Sequence, residues 1–231
     1  MKHSKFFAIA LSAIMLLSAC NMNNTTKGGL IGGGGGAALG ALVGNLIGKD
    51  AKGTAIGAAI GTAVGTGAGV LIGKKMDKAK AAAEAVANAQ VQSVTDANGL
   101  QAVKVTFDSG ILFATNKSTL NSVAKSSLSQ FASQVLNVNP DMDVAIFGHT
   151  DNTGSDAINN PLSQKRAEAV ESYLKSCGVA PRQIATVQGK GSYDPVATNA
   201  TAEGRQLNRR VEVFIYASQA MIEAAQNGTL Q

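Results

Sequence analysis

Short apolar runs alternate with longer segments of helical periodicity in the second half of the chain, from about residue 91 onward. The runs predict strands, and Asn98-Gly99 between the first two is typical of a hairpin turn. The longer segments predict two helices, one from about Ser118 to the break at Pro140 and one from Pro161 to Cys177, with Asn160 as its N-cap. The predicted strands cover residues 91–95, 100–107, 142–147, 184–188 and 207–217.

Strands that alternate with two helices predict an α/β fold of the α+β sandwich type, in which both helices pack on one sheet. Residues 91–217 are enough for a single hydrophobic core. A loop rich in Gly, Ser, Asn and Thr is predicted over 189–205. Residues 218–231 form a C-terminal tail, and the sequence is compatible both with a short helix there and with a frayed end.

Glycine recurs at every fourth position in two uncharged runs across residues 30–73, which are separated by Lys49-Asp50-Ala51-Lys52. Because this period places the glycines on one stripe of a helix, the segment predicts a closely packed helical hairpin, a glycine zipper. Each half is long enough to cross a bilayer, but crossing, lying in the membrane and packing in a homo-oligomer all remain open. A flexible Gly/Ala linker is the alternative. The glycines are Gly32, Gly36, Gly40, Gly44, Gly48, Gly53, Gly57, Gly61, Gly65, Gly69 and Gly73.

Residues 74–90 are rich in Ala and Lys and predict a helical stalk. Its lysines would suit the edge of a membrane with anionic lipids. A solvated basic helix without a specific partner is equally compatible with the sequence.

The first 19 residues have the anatomy of a secretory signal, with a basic start, an apolar run over 6–17 and small residues before Cys20. This order resembles the bacterial lipobox. The resemblance implies that Cys20 is lipidated and opens the mature protein, followed by a linker over 20–29. Asn21 stands where an inner-membrane retention signal would have Asp, which implies sorting to the outer membrane. An ordinary signal cut beside an unmodified Cys20 is the alternative.

The net charge of +5 is dispersed along the 231 residues, and no basic run is interleaved with aromatic residues, so no nucleic-acid partner is expected. His149 is the one histidine outside the signal. A single histidine with scattered carboxylates makes a poor metal site, so neither a metal nor a cofactor is expected. If Cys20 carries lipid, Cys177 has no cysteine in the chain left to pair with, and it is best explained as a small buried apolar residue. A reactive or intermolecular thiol is the alternative.

Asp151 and Arg166 are the candidate binding residues. Asp151 ends the turn that follows strand 142–147, and Arg166 falls in the second turn of the helix predicted from Pro161. The N–H groups at that helix start, the guanidinium and the carboxylate are then expected to converge on one crevice. Such a crevice would bind a ligand that carries both an ammonium and a carboxylate. The alternatives are an Asx turn at Asp151 and a solvated Arg166.

Three separated blocks of sequence resemble the OmpA-like peptidoglycan-binding domain, over about residues 91–217. The resemblance implies one mixed sheet with two main helices packed on it, and it assigns Asp151 and Arg166 to the diaminopimelate residue of the cell-wall peptide. It also places Thr150, Asn159 and Leu162 in the site. Arg209 either borders the site, supplies charge to the strand face or forms a structural pair with Glu212. The blocks are Gly148 to Asp151; Asn159, Leu162, Ser163, Arg166 and Ala167; and Gly204-Arg205 with Asn208 to Glu212.

A hydrolase is not expected, because His149 and Asp151 have no serine at a recognisable nucleophile elbow. Two other hypotheses follow. The first is an outer-membrane lipoprotein that binds peptidoglycan and tethers the membrane to the wall, similar to lipoproteins of the YiaD type. The second is a membrane-assembly or envelope-stress lipoprotein that oligomerises through its glycine zipper and uses wall binding only for localisation.

Overall fold

The computed structural model describes residues 67–95, 101–114 and 116–230. The strands of this part are β1 (Ala89–Thr95), β2 (Gln101–Asp108), β3 (Met142–Gly148), β4 (Ile184–Gly189) and β5 (Arg210–Ala217). They form one sheet in the order β1-β2-β5-β3-β4, in which β3 and β4 are parallel and all other neighbours are antiparallel. The predicted α+β class with a mixed sheet is confirmed.

The helices of the described part are α1 (Gly67–Glu84), α2 (Ser109–Leu112), α3 (Ser122–Phe131), α4 (Asp156–Ser176), α5 (Ala202–Asn208) and α6 (Gln219–Gln226). A π-helical turn over Ala132–Leu136 continues α3, and a 3-10 turn over Pro181–Gln183 leads into β4. The predicted turn Asn98-Gly99 lies outside the described residues, while β1 and β2 on either side of it pair as an antiparallel hairpin.

The main core lies between one face of the sheet and helices α1, α3, α4 and α6. Alternate strand residues point to this face, so β5 contributes Val211, Val213 and Ile215, as the sequence predicted. The ring of Phe107 from β2 meets Phe131 from α3 edge to face, with 5.7 Å between the ring centroids. The opposite face has a separate apolar cluster, centred on Phe147 and Phe214, and a buried polar cluster beside it.

Helix α4 begins at Asp156 and not at Pro161, so the predicted N-cap at Asn160 is wrong. Ser155 occupies the N-cap position in an extended conformation, and its carbonyl accepts the N–H groups of Ile158 and Asn159 at 2.9 Å each. The carboxylate of Asp156 favours a helix start because it complements the helix dipole. Pro161 therefore lies inside the helix, where it costs one backbone hydrogen bond but has helical φ.

Two further boundaries differ from those predicted. Helix α3 begins after Asn121, whose side chain accepts the N–H of Ala124 at 2.8 Å, and not at Ser118. The predicted loop over 189–205 ends in α5, which Thr201 caps by accepting the N–H of Gly204 at 3.0 Å. This helix takes up residues 207 and 208, so strand β5 begins at Arg210.

Helix α1 spans the end of the predicted zipper and most of the predicted stalk, and one of its faces is buried. Ile72 and Met76 lie at the centre of that face, in the main core. Lys75 forms an ion pair with Asp141 at 2.6 Å on the outer side. Residues 67–84 are thus packed on the sheet. Within the described residues, no helix is long and apolar enough to cross a bilayer. Residues 30–66 and Cys20 lie outside the described part.

Candidate functional site

The ends of β3 and β4 lie directly against α4 because glycine occupies both contact points. A Cβ atom on Gly148 would lie 2.1 Å from the carbonyl oxygen of Ser163, and one on Gly189 would lie 2.4 Å from the backbone nitrogen of Gln164. The side chain of Gln164 accepts the N–H of Gly189 at 2.6 Å. Any larger residue would push the helix away, so these glycines fix the distance between α4 and the loop that carries Asp151.

The loop after β3 is held by backbone hydrogen bonds on both sides. The N–H of His149 donates to the carbonyl of Arg210 at 2.9 Å, and the N–H of Thr150 donates to the carbonyl of Gly191 at 2.8 Å. Oδ1 of Asp151 accepts the N–H of Thr153 at 2.8 Å, which closes an Asx turn. The carboxylate is therefore fixed in position with only 7% of the residue exposed.

Arg209 pairs with Asp151. Its Nη1 donates to Oδ2 of Asp151 at 2.5 Å, from the position just before β5. Burial raises the pKa of Asp151, but the hydrogen bonds from Arg209 and Thr153 outweigh burial and lower the pKa below its ordinary value. Asp151 is thus an ionised acceptor near neutral pH. The sequence left the role of Arg209 open, and the structure places it beside Asp151.

Arg166 is almost completely enclosed, with 3% of the residue exposed. Its Nε donates to the carbonyl of Lys117 at 3.1 Å, and its Cζ lies 5.3 Å from the ring centroid of Phe113. In the described part of the chain neither Nη group has a hydrogen-bond partner, and both keep contact with solvent. Burial, and then the charge of Arg209, lower the pKa of Arg166, while Asp151 raises it.

The start of α4 does not join this group. Arg166 lies ten residues after Asp156 in the helix, which at a rise of ~1.5 Å per residue is ~15 Å along the axis from the first helical residue. The expected convergence of helix N–H groups with the guanidinium is therefore wrong, and it fails because the helix starts one and a half turns earlier than predicted. The charged groups that come together are Asp151, Arg166 and Arg209.

The other predicted site residues have different surroundings. Asn159 is buried and its Nδ2 donates to the carbonyl of Thr153 at 3.2 Å, so it braces the loop. The Oγ1 atom of Thr150 is buried and has no hydrogen-bond partner among the described residues. Leu162 lies half-buried on α4, four residues before Arg166.

Asparagines to which the sequence analysis assigned no role hold the loop between β4 and α5 in place. The side chain of Asn208 is fully buried and accepts the N–H groups of Val196 and Ala197 at 2.8 and 2.9 Å. Its Nδ2 donates to Oδ1 of Asn199 at 2.9 Å, and that oxygen also accepts the N–H of Asn152 at 3.3 Å. Asn208 lies in the third sequence block, which is the signal that points to it.

The OmpA family is matched by residues 112–209, and the YMGG-like Gly-zipper family is matched by residues 1–77. Outer membrane protein A of Bordetella avium is 43% identical over 117 residues, which cover 51% of this chain and 59% of that protein. The peptidoglycan-binding protein ArfA of Mycobacterium bovis is 58% identical over 76 residues, covering 33% of this chain and 23% of ArfA. The chain thus spans less than two thirds of these relatives.

The probable lipoprotein YiaD of Escherichia coli is 41% identical over 111 residues, which cover 48% of this chain and 47% of YiaD. Among solved structures, a MotB-like protein from Desulfovibrio vulgaris superposes with a TM-score of 0.53 over 65% of this chain and 96% of that one. At 23% identity this likeness supports the fold alone. The resemblance found in the sequence is confirmed: residues 112–209 of the chain match the OmpA family, and residues 1–77 match the YMGG-like Gly-zipper family.

Proposed function

We propose that this protein is an outer-membrane lipoprotein whose OmpA-family domain binds peptidoglycan without cleaving it and so tethers the membrane to the wall. The observation that carries the proposal is the state of Arg166. Its stem is fixed by Phe113 and the carbonyl of Lys117, while both Nη groups remain unpaired within the described chain. A relative with 58% identity over the matched residues is named as a peptidoglycan-binding protein, which supports the same function.

The charges of the site suit the diaminopimelate residue of a stem peptide. Arg166 and Arg209 supply two positive charges and Asp151 supplies one negative charge, so one positive charge is left for a ligand carboxylate. The two Nη groups of Arg166 form a planar fork that can donate to both oxygens of that carboxylate. An ionised carboxylate has about four lone-pair positions, and two of those on Asp151 are used, so Asp151 can also accept from a ligand ammonium.

The same geometry favours binding over catalysis. A general acid or base needs a pKa close to the working pH, but the hydrogen bonds from Arg209 and Thr153 lower the pKa of Asp151 and hold it as an ionised acceptor. Arg166 stays protonated. Both charged groups are therefore suited to holding a ligand, and we propose that the domain is not an enzyme.

Co-sedimentation of the full-length protein with purified sacculi tests the binding site. Removing one partner of a desolvated charge pair costs ~2–5 kcal/mol, so Asp151→Asn and Arg166→Ala are each expected to weaken binding more than ~10-fold. Arg166→Lys should recover little, because an ammonium cannot form the two-donor fork. Arg182→Ala is the matched control, since Arg182 is exposed in the 3-10 turn before β4, at the end of the β3–β4 pair that lies away from Asp151.

Circular dichroism must show that each variant is folded. Competition with soluble stem peptides adds a test on the ligand side: a peptide with diaminopimelate should displace sacculi, and the same peptide with lysine, which lacks the second carboxylate, should not. If a folded Asp151→Asn, Arg166→Ala double variant sediments like the wild type, the proposed site is wrong.

The Gly-zipper match at residues 1–77 favours a second candidate, a membrane-assembly lipoprotein that oligomerises through this segment. Under this alternative, wall binding serves localisation only. Crosslinking in membranes, together with sedimentation, separates the two candidates. If the membrane-assembly candidate is right, Asp151→Asn should abolish sedimentation with sacculi but leave both the crosslinked oligomers and the cellular role intact. Loss of the cellular role in that variant would favour the tether.

A further inference from the structure

A polar cavity of about 230 Å³ lies on the face of the sheet opposite the helices. Its floor is formed by side chains of β1, β2 and β5, including Gln92, Lys104, Thr106 and Glu212, and Leu207 stands at its rim. Arg210, the first residue of β5, lines this cavity, whereas Arg209, just before the strand, pairs with Asp151. The cavity is therefore separate from the proposed peptidoglycan site.

Lys104 is the unusual residue of the cavity. Only 6% of it is exposed, and its nearest polar partner is Oε1 of Glu212, at 3.7 Å from Nζ. Among the described residues, Nζ has no hydrogen bond at all, although an ammonium has three donors. Nζ is not among the buried unpaired atoms, so it keeps contact with solvent in the cavity, where a ligand acceptor could take the place of water.

The other charged groups of the cavity are already satisfied. Nε of Arg210 donates to Oε1 of Glu212 at 2.8 Å, and its Nη2 donates to the carbonyl of Asp194 at 3.1 Å. The carboxylate of Asp108 accepts the N–H of Gly110 at 2.6 Å and the amide of Gln206 at 3.2 Å. The ammonium of Lys104 is consequently the charge that remains available to a ligand.

Neutral polar groups accompany Lys104. For the part of the chain that the structure describes, the side chains of Gln90, Gln92 and Thr106 on the cavity wall make no hydrogen bonds. Amides and a hydroxyl can both donate and accept, so they suit ligand hydroxyl or amide groups. Leu207, half of whose surface is exposed, offers an apolar contact at the rim.

We propose that this cavity binds a small monocarboxylate that also carries hydroxyl or amide groups. Its carboxylate would accept hydrogen bonds from Lys104, and its neutral groups would pair with Gln92 and Thr106. A phosphate dianion fits poorly, because the carboxylates of Asp108 and Glu212 share the cavity and only one ammonium is available. The volume lies below the ~300–1,000 Å³ of drug-sized sites, which favours a ligand of monomer size over a polymer strand.

Equilibrium dialysis of the full-length protein against radiolabelled sugar acids tests this proposal. N-acetylmuramic acid is a probe with a carboxylate, hydroxyls and an amide, and N-acetylglucosamine is its counterpart without the carboxylate. Sodium gluconate supplies a sugar acid that is foreign to the wall. At least one of the two acids is expected to show saturable binding. The acid that binds more tightly shows whether the ligand is a sugar acid of the wall or one foreign to it. N-acetylglucosamine is expected to bind at least ~10-fold more weakly than that acid.

Lys104→Met should weaken binding of the acid at least ~10-fold, because it removes the charge-assisted hydrogen bond. Glu212 keeps its partner Arg210 in this variant, so the fold should persist. Thr106→Val is a second, nearly isosteric variant and should weaken binding ~3-fold or more. Lys125→Met, at an exposed position of α3, is the matched control.

Asp151→Asn should bind the acids like the wild type, which separates this site from the proposed peptidoglycan site. The proposal is overturned if neither acid binds, if Lys104→Met and Thr106→Val both bind like the wild type, or if N-acetylglucosamine binds as well as N-acetylmuramic acid. Loss of binding in Asp151→Asn alone would place the acids at the other site and would equally overturn it.

Discussion

At the scale of single residues, Glu212 links the charges of the second sheet face. It is 1% exposed, and its carboxylate lies 2.8 Å from Nε of Arg210, 3.7 Å from Nζ of Lys104 and 3.6 Å from Nε2 of His149. Burial raises the pKa of Glu212, but the contacts with His149, Arg210 and Lys104 outweigh burial and lower the pKa to about 2. One carboxylate thereby faces two largely buried cations, Arg210 at hydrogen-bond distance and Lys104 at a longer distance.

Glu212→Gln is expected to make the protein less stable and to change its pH dependence. Glu212 titrates near 4.5 when unfolded and near 2 when folded, so its contribution is present above pH ~4.5 and is lost as the pH falls toward 2. The contribution is ~3 kcal/mol at neutral pH, from ~1.36 kcal/mol per pKa unit. Urea unfolding followed by circular dichroism at pH 7 and pH 3 should show a loss of this size for the variant at pH 7 and a smaller one at pH 3.

Glu203→Gln is the control for this prediction, because Glu203 is exposed in the first turn of α5 and its loss should change stability by no more than ~0.5 kcal/mol. An equal loss of stability for Glu212→Gln at both pH values would show that packing of the side chain matters and its charge does not.

The sequence was informative about single residues wherever a motif held them. Asp151 and Arg166 stand in blocks of fixed order, so they could be selected before the fold was known. The partners of Arg166 could not be predicted from the sequence, because Phe113 and Lys117 are brought to it by the packing of α2 and α4 on one sheet. The pairing of Arg209 with Asp151 was also open, since these residues are 58 positions apart and meet only because β5 lies beside β3.

At the scale of elements, α1 is the helix that most changes the picture drawn from sequence. Its Ala- and Lys-rich composition predicts a helical stalk, either at a membrane edge or in solvent. Ile72, Met76, Ala79 and Ala83 nevertheless recur at helical spacing and form a buried face. Alanine is compatible with both solvent and close packing, so composition alone could not distinguish the two. The buried face shows that the helix is packed on the sheet next to α6.

Met76→Ala is expected to destabilise the domain by ~2–4 kcal/mol, because Met76 is 2% exposed and its removal leaves a cavity in the main core. Val70→Ala in the same helix is the matched control, since Val70 is 58% exposed and should change stability by less than ~0.5 kcal/mol. The chain has no Trp, so urea unfolding is followed by circular dichroism. Equal stability of the two variants would mean that α1 unfolds independently of the domain.

The elements that the sequence located well are those with one dominant signal. Strand β3 follows from a short apolar run and the core face of β5 from alternating apolar residues, and both are confirmed. The start of α4 was placed wrongly because two signals competed there. Pro161 is favourable at the first position of a helix, but the cap at Ser155 and the acidic Asp156 start the helix earlier, and tertiary packing of α4 on β3 and β4 tolerates the proline.

At the scale of the whole molecule, the proposed tether requires two attachments on one chain. Lipid on Cys20 would hold one end in the outer membrane, and the Asp151 site would hold the other on the wall. Once the lipid is inserted, the domain is confined near the wall, so its effective concentration there is high and moderate affinity is sufficient. Each attachment can then be removed separately, and each removal should leave the other intact.

Fractionation of cells that express Cys20→Ala, Asp151→Asn or the wild type tests this division. The wild type should start at a lipid-modified Cys20 by mass spectrometry, partition with outer membranes and sediment with sacculi after detergent extraction. Cys20→Ala should lose the lipid and the outer-membrane fraction but still bind purified sacculi, whereas Asp151→Asn should keep the membrane fraction and lose sacculi. Cys177→Ala is the control, because this half-buried free thiol has no part in either attachment. Two outcomes would contradict the lipid anchor: an unmodified Cys20 in the wild type, and outer-membrane partition that persists in Cys20→Ala. Either would place the membrane attachment in another segment, and the glycine zipper is the first candidate for it.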